Sequence, residues 1–484
     1  MIFETLFSAL VIGCAGSGLY LNQECGKREY CQASEYLATN PLEAKPLPSL
    51  YKADIDTLAE GLDRKEFTSA YVARINEVND ALSVVTEINP DALSIASALD
   101  NERSRGAVLT AGQLMVDKPT DPSILTKIPR VVQAVVRWQL PTVCLGGETA
   151  GSIIDPASYN NIVGMKPRLT SRHLVIPISE HMDTVGPMTK TVKDSAYVLQ
   201  SIAGVDPFDN YTSAIPSQAD LDFVNACKVS ALAGARVGVP RNVISLMSNN
   251  NTESMVKAFD EFLDVLRSAG ALVIENTNFP AAQDFIDNSL LSAQIMGADF
   301  IVDVERYLDQ LVYNPHNITN LVDLRRWTQS SPLEGYPGKP TELWDAALQN
   351  WNNTEYGFWR AYQQGLYYGN EGGLLGAIKQ HNLDAVVLPS HFAWDWAAVV
   401  GAPIVSVPIG AMPLDQPIVS DADGLVSAAP NIPFGFSFLG ARFTDAKLIG
   451  LAYAFEQRTM IRRTVHPYIA PQTDLRNVVG KQYK

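Results

Sequence analysis

Short apolar runs alternate with amphipathic helical stretches along the second half of this chain, and that alternation restricts the fold more than any other feature. Val237–Val239 has the length and composition of a buried strand, Thr252–Ser268 shows helical periodicity, and Leu272–Ile274 is apolar again. Two further apolar runs, Ala385–Leu388 and Ile404–Val407, are each closed by a proline. Strands that alternate with helices indicate an α/β fold, in which a mixed twisted sheet is sandwiched between helical layers.

The N-terminal part of the chain is predicted to be largely helical. Asp54 or Asp56 can cap a helix that runs through Leu62, and Thr68 can cap a second helix that runs to Val78. Beyond these helices, the pattern predicts a strand, a helix and a long helical, aromatic-rich region, at Ser83–Ile88, Asp91–Arg105 and Gln283–Gly372 respectively.

The size and charge of the chain are those of a large globular protein. It has 484 residues, and its 37 basic and 52 acidic side chains give a net charge of −15. Such a charge repels nucleic acids and anionic lipids, so neither is expected as a partner. Residues 51–466 contain no internal repeat or linker and are predicted to form one domain, followed by a C-terminal tail at 467–484. The sequence specifies no oligomeric state.

Residues 1–18 are predicted to be a signal peptide. The apolar stretch Leu6–Gly13 is too short to span a bilayer but suits a signal-peptide core, and small residues at Ala15 and Ser17 can form a cleavage site. The chain is therefore expected to be secreted, without a stable membrane span. Since the first residues contain Glu4 and no lysine or arginine, a cytoplasmic location stays open as the alternative.

The segment Gly146–Ser158 carries the strongest chemical signal in the sequence. Small residues surround a single serine, Ser152, in Gly-Gly-Glu-Thr-Ala-Gly-Ser, and a Pro-Ala-Ser turn follows. Backbone N–H groups in such a segment are not shielded by side chains, so they can bind an oxygen held beside Ser152. No Gly-x-Ser-x-Gly motif is present, which argues against a Ser-His-Asp hydrolase.

Several motifs follow in an order that resembles the amidase signature family of serine hydrolases. They are the segments Gly146–Ser158, Asn160–Pro167, Asp183–Met188, Phe436–Gly440 and Ala446–Gln457. The Glu-Thr pair ahead of the serine is most similar to fungal or bacterial amidases with that variant of the motif. The resemblance implies a single large α/β domain of the amidase-signature type.

The resemblance also implies the chemistry. The family hydrolyses a carboxamide through an acyl-serine intermediate, which water then releases. Ser152 matches the nucleophile, and the N–H groups of Thr149, Ala150 and Gly151 fall where the family forms its oxyanion hole. The substrate is expected to be a small-molecule amide, and no metal or organic cofactor is implied.

The chain departs from the family pattern where the general base is expected. The family uses a buried, neutral lysine that acts through a bridging serine on a cis peptide bond. Residues 107–145 form an atypical segment with one serine and one glycine, and its two lysines, Lys118 and Lys127, lie in no family motif. Both are interpreted as solvated surface lysines, so the chain is expected to lack the segment with the catalytic lysine and the bridging serine.

Three functional hypotheses therefore stay open. The first is an amidase in which another residue serves as the base, and the second is a catalytically dead amidase-like protein that binds a ligand. The third is a protein similar to the amidotransferase subunit that amidates glutamyl-tRNA, against which the acidic composition and the predicted signal peptide argue.

Two aromatic regions allow either a pocket or core packing. His391–Trp396 follows a predicted strand and can line a pocket or pack in the core. The helical region before it contains four tryptophans, for which packing is favoured over a role in the pocket, namely Trp327, Trp344, Trp351 and Trp359.

Overall fold

The computed structural model describes residues 49–61, 67–82, 85, 88–90, 92, 142–420, 426–467, 469–475 and 477. The predicted signal peptide and both Lys118 and Lys127 lie outside these residues. Of the predicted helix Asp91–Arg105 only Ala92 is described, and it is helical. Of the predicted strand Ser83–Ile88 only Val85 and Ile88 are described, and neither is in a strand.

A mixed eight-stranded sheet forms the centre of the described part of the chain. Its strand order is β1-β3-β2-β7-β10-β6-β4-β5; β4 pairs in parallel with β5 and β6, and the other pairs are antiparallel. A separate two-stranded ribbon joins β8 and β9. The strands are β1 Val143–Glu148, β2 Val163–Lys166, β3 Thr184–Thr189, β4 Arg236–Val239, β5 Leu272–Glu275, β6 Ala385–Pro389, β7 Ile404–Ala411, β8 Val419–Ser420, β9 Val426–Ala428 and β10 Pro433–Leu439.

Helices surround this sheet and complete the predicted α/β architecture of a single domain. Within the described residues they are α1 Ile55–Gly61, α2 Phe67–Leu82, α3 Ile154–Tyr159, α4 Val192–Ile202, α5 Phe223–Ala226, α6 Arg241–Met247, α7 Glu253–Ser268, α8 Ala282–Asp287, α9 Leu291–Leu308, α10 Leu321–Ser330, α11 Glu342–Leu348, α12 Tyr356–Gly369, α13 Leu374–His381, α14 Trp394–Ala398 and α15 Asp445–Thr459. None of these helices is both long and apolar enough to cross a bilayer.

One strand boundary predicted from the sequence was wrong. Pro408 was expected to close its strand, but β7 continues to Ala411. Pairing with β10 shifts between Phe434 and Gly435, where Gly435 lies opposite Pro408 and Phe434 lies opposite Gly410. Proline has no N–H to donate to a neighbouring strand. The irregular pairing beside Pro408 therefore allows β7 to continue past this residue.

Aromatic side chains fill the core on the α7 and α15 side of the sheet and beside α14. Phe436 on β10 stacks on Phe259 and Phe455, with ring centroids 4.9 and 4.8 Å away. Trp396 is 1% exposed and packs edge-on against Phe285. Of the two interpretations of the His391–Trp396 region, core packing is therefore the correct one for Trp396.

Two glycines bring the backbone of this sheet into close contact with its surroundings. A Cβ at Gly186 on β3 would lie 2.0 Å from the carbonyl oxygen of Met165, and one at Gly164 on β2 would lie 2.5 Å from the Cβ of Ala157 on α3. Side chains cannot be accommodated at such distances without moving the neighbouring atoms. Strand β3 is thus packed against the main chain of β2, and β2 against the Cβ of Ala157 on α3.

The buried carboxyl of Glu456 on α15 predicts a pH dependence of stability. Its two oxygens accept hydrogen bonds from the Val192 N–H at 3.1 and 3.2 Å, and burial, with a contribution from Asp194, raises its pKa to about 8. The folded protein holds this proton up to that pH, whereas the unfolded chain releases it near 4.5. The free energy of unfolding should therefore fall by roughly 1 kcal/mol per pH unit between pH 5 and 8.

The Glu456→Gln variant tests this expectation by urea unfolding across that pH range. Because glutamine does not titrate, the variant should lose the share of the slope that Glu456 contributes, and the difference from wild type should grow with decreasing pH. Glu253→Gln, at an exposed glutamate on α7, is the control and should follow the wild-type curve. Parallel curves for wild type and Glu456→Gln would contradict the assignment.

Candidate active site

Ser152 lies in the loop that joins β1 to α3. The loop begins after Glu148, and Gly151 adopts a φ of +95°, a left-handed conformation that glycine tolerates best. Asp155 donates its N–H to the Gly151 carbonyl at 2.9 Å, which begins the first turn of α3 directly after the serine. Ser152 is only 9% exposed. The small residues read from the sequence therefore form a tight strand-to-helix turn.

The backbone N–H groups of this loop fall into two sets. Those of Ile153 and Ile154 donate to Glu148 Oε2 at 2.7 and 2.8 Å. Those of residues 149–152 make no hydrogen bond to any described residue. Unpaired N–H groups in a buried segment are uncommon, and a cluster of them is suited to binding an oxygen that carries negative charge. The oxyanion-hole role of Thr149, Ala150 and Gly151 is compatible with this arrangement and stays a prediction.

A buried lysine that the sequence analysis did not single out is hydrogen-bonded to the backbone at the start of this loop. Lys166, at the end of β2, is 1% exposed and donates hydrogen bonds to the carbonyl oxygens of Glu148, Thr149 and Met182 at 2.9, 2.8 and 2.8 Å. Its Nζ also lies 3.9 Å from Glu148 Oε1. Burial lowers its pKa to about 8. Because an ammonium has three donors and all three are bonded, Lys166 acts as a structural cation.

Asp183 holds the opposite side of the loop. Its Oδ1 accepts a hydrogen bond from the Thr149 hydroxyl at 2.6 Å, and its Oδ2 accepts bonds from the N–H groups of Ile178 and Ser179 at 2.7 and 3.0 Å. Burial raises the pKa of Asp183, whereas these donors oppose that shift. The aspartate was noted in the sequence as part of a motif, and the structure shows what it binds.

The Ser152 hydroxyl has no hydrogen-bond partner among the described residues. His181 contacts Asp299 at 2.9 Å and His391 contacts Asp155 at 3.0 Å, so neither imidazole is paired with the serine. Within the described ranges no Ser-His-Asp relay is present at this site. Lys118 and Lys127, considered from the sequence as bases, lie outside those ranges.

A cavity of about 430 Å³ opens beside Ser152. Thr149 and Ser152 line it, whereas none of the four tryptophans of the helical region does. The apolar segment 174–178 also lines it, as does α9 through Asp303, Arg306 and Tyr307. The volume suits a small organic ligand, and the packing interpretation of the tryptophans is compatible with this lining.

Several known proteins are similar to this chain in sequence and structure. The Amidase family model matches residues 134–449. A relative from Arthroderma benhamiae, named as an amidase, is 38% identical, and the match covers 90% of each chain. One component of the glutamyl-tRNA(Gln) amidotransferase from Geobacillus kaustophilus is 25% identical over 91% of this chain and 89% of its own length.

Solved structures give the same result. The peptide amidase of Stenotrophomonas maltophilia superposes with a TM-score of 0.71 at 25% identity, covering 88% of this chain and all of its own. The structure of the peptide amidase in complex with the inhibitor chymostatin superposes with a TM-score of 0.70 at 26% identity. The family match spans more than half of the chain, and together with these likenesses it shows that the protein belongs to the amidase signature family.

Proposed function

We propose that the protein hydrolyses a carboxamide through an acyl-Ser152 intermediate. The observation that carries the proposal is the combination of a nearly buried serine, a cavity beside it, and N–H groups in the three residues before it that make no hydrogen bond to a described residue. Family membership supports the reaction class. The name of the peptide amidase describes the substrate of that protein, and it does not identify the amide that this protein hydrolyses.

In this proposal, Ser152 Oγ attacks the amide carbonyl carbon and its proton passes to a general base. The carbonyl oxygen becomes an oxyanion, which the N–H groups of Thr149, Ala150 and Gly151 stabilise. The C–N bond then breaks as the nitrogen takes up a proton and leaves as an amine or ammonia. Water attacks the resulting ester, which releases the carboxylic acid and restores the serine.

One observation favours a second candidate function, a catalytically inactive ligand-binding protein. Within the described residues no side chain is hydrogen-bonded to the Ser152 hydroxyl, and the segment 107–145 contains neither of the family's base motifs. A serine without a base keeps the reactivity of an ordinary alcohol, and most of the rate of covalent catalysis is then lost. The cavity and its N–H donors would still bind a ligand.

Labelling with a fluorophosphonate probe distinguishes the two functions. The wild-type protein should be labelled and Ser152→Ala should not, because the probe reacts only with an activated serine hydroxyl. Ser213→Ala, at an exposed serine far along the chain, is the matched control and should be labelled like wild type. Absence of labelling from a wild-type protein shown to be folded would reject the hydrolase and leave the ligand-binding protein.

A role in amidating tRNA is not part of the proposal, although a component of an amidotransferase is among the relatives. The net charge of −15 opposes binding to an RNA. We propose instead a secreted protein, on the basis of the N-terminal sequence alone. N-terminal sequencing of the protein recovered from culture medium tests this location, and recovery of an intact chain only from the cytosol would contradict it.

A further inference from the structure

The cavity beside Ser152 carries an excess of negative charge. Two guanidinium groups line it, those of Arg172 and Arg306. The carboxylates that line it are more numerous, namely Glu148, Glu180, Asp183, Asp209 and Asp303. A concave surface lined mainly by one sign of charge concentrates the electric field and attracts ligands of the opposite sign.

Three of these carboxylates have strong partners of their own. Arg172 binds Asp209 through two hydrogen bonds of 2.7 and 2.9 Å. Glu148 and Asp183 are held beneath and beside the loop by the donors described above, including Lys166. The charge of these groups is thus largely compensated within the protein.

The carboxylates of Glu180 and Asp303 are compensated less well. Among the described lysines and arginines, one forms ion pairs with both: Arg306 Nη1 lies 2.7 Å from Glu180 Oε2 and 3.4 Å from Asp303 Oδ1. The side chain of Arg306 is 56% exposed, so water screens its attraction for both. Asp303 by contrast is 3% exposed, and burial, with contributions from Glu180 and Asp299, raises its pKa to about 7.

A second feature of the same cavity independently indicates a ligand. Ser152 is more than nine-tenths buried, lines the cavity and has no hydrogen-bond partner among the described residues. Its hydroxyl is therefore available to a molecule that enters the cavity. Apolar side chains also line the cavity, including Leu174, Val175 and Pro177. A ligand that joins these regions needs an apolar body with a polar group at each end.

We infer that the cavity selects ligands in which a protonated amine lies beyond a short apolar body and binds against Glu180 and Asp303. The inference deepens the proposed function and rests on it in one respect, since it makes amides that carry such an amine the substrate class. The amine supplies a further positive charge to these two carboxylates. A neutral or anionic group at that position would leave the two carboxylates sharing the exposed Arg306.

Binding of three small probes tests the inference without requiring catalysis. Calorimetric titration at pH 8, above the raised pKa of Asp303, compares protonated 2-phenylethylamine, neutral 2-phenylethanol and the anion 3-phenylpropionate. The amine should bind the wild-type protein about tenfold more tightly than the alcohol, because charge-assisted hydrogen bonds contribute more than neutral ones. The anion should bind most weakly, and the preference for the amine should fall at high salt.

Variants of the two carboxylates test whether the amine binds beside them. Asp303→Asn should weaken the amine about tenfold and leave the alcohol unchanged, because asparagine keeps an acceptor for the Glu180 N–H but removes the charge. Glu305→Gln, at an exposed glutamate on α9, is the matched control and should change neither affinity. Glu180→Gln, at a partly exposed position, provides a second variant if Asp303→Asn does not fold.

The outcomes separate this inference from the proposed hydrolysis. Binding of the amine no tighter than the alcohol, including no measurable binding of either, would overturn the inference whatever the fluorophosphonate result. Unchanged amine affinity in a folded Asp303→Asn or Glu180→Gln variant would also overturn it. Selective amine binding by a protein that the fluorophosphonate does not label would support the cation preference and reject only the hydrolase.

Discussion

Replacing Lys166 by methionine should lower the free energy of unfolding by about 3–5 kcal/mol, the cost typical of breaking a buried ion pair. The substitution keeps the apolar stem but removes the ammonium, which has three backbone acceptors and faces Glu148. Glu148 would then be a buried carboxylate without its cation, and three carbonyl oxygens would lose a donor. Urea unfolding of both proteins at pH 7 measures the difference.

Two further variants distinguish the cost of breaking the buried ion pair from the cost of removing a lysine elsewhere. Lys447→Met breaks an ion pair with Asp384 in which Lys447 is 52% exposed, and should cost less than about 1 kcal/mol. Adding Glu148→Gln to Lys166→Met should recover part of the loss, because the amide oxygen still accepts from Ile153 and Ile154. A loss below about 1 kcal/mol in Lys166→Met alone would contradict the role assigned to this lysine.

Replacing Asp183 by alanine should cost about 3 kcal/mol or more, while Asp183→Asn should cost far less. Alanine leaves the Thr149 hydroxyl and the N–H groups of Ile178 and Ser179 without their acceptor, at about 1–3 kcal/mol for each buried group. Asparagine can accept both N–H bonds through its oxygen and donate to the Thr149 hydroxyl through its nitrogen. Urea unfolding measures the cost in each variant.

This pair of variants decides whether hydrogen bonding or charge makes Asp183 important. Equal losses in the alanine and asparagine variants would show that the carboxylate charge, beside Lys166, is the main contribution. If the fluorophosphonate labels the wild type, its rate with each folded variant adds a second measurement. Since Asp183 holds Thr149, we expect Asp183→Ala to react more slowly than Asp183→Asn.

The periodicity of apolar residues was sufficient to predict helix α7, whose limits depend on residues that are close in sequence. Helix α7 begins at Glu253, one residue after the predicted start, and both end at Ser268, followed by Gly270 with a φ of +89°. The strand that contains Pro408 was predicted too short, because its continuation depends on the irregular pairing with β10. Such pairing involves residues distant in sequence, and a local pattern does not contain it.

The same distinction applies to the site. The small residues around Ser152 predicted a loop whose backbone N–H groups are not covered by their own side chains, because the absence of side chains is visible in the sequence. The function of Lys166 was not predicted, since a lysine after an apolar run looks like the end of a strand that reaches the surface. Its partners are carbonyl oxygens, which every residue possesses, so no residue type in the sequence identifies them.

The glycine contacts at Gly164 and Gly186 have a consequence for how this loop responds to substitution elsewhere. A carbonyl oxygen and an alanine Cβ have no alternative rotamers, so these contacts cannot adjust to a displacement and are rigid. Helix α3 and the strands beneath it should therefore move together as one rigid body. Sequence drift in the surrounding side chains would change the stability of the protein well before it altered the position of Ser152.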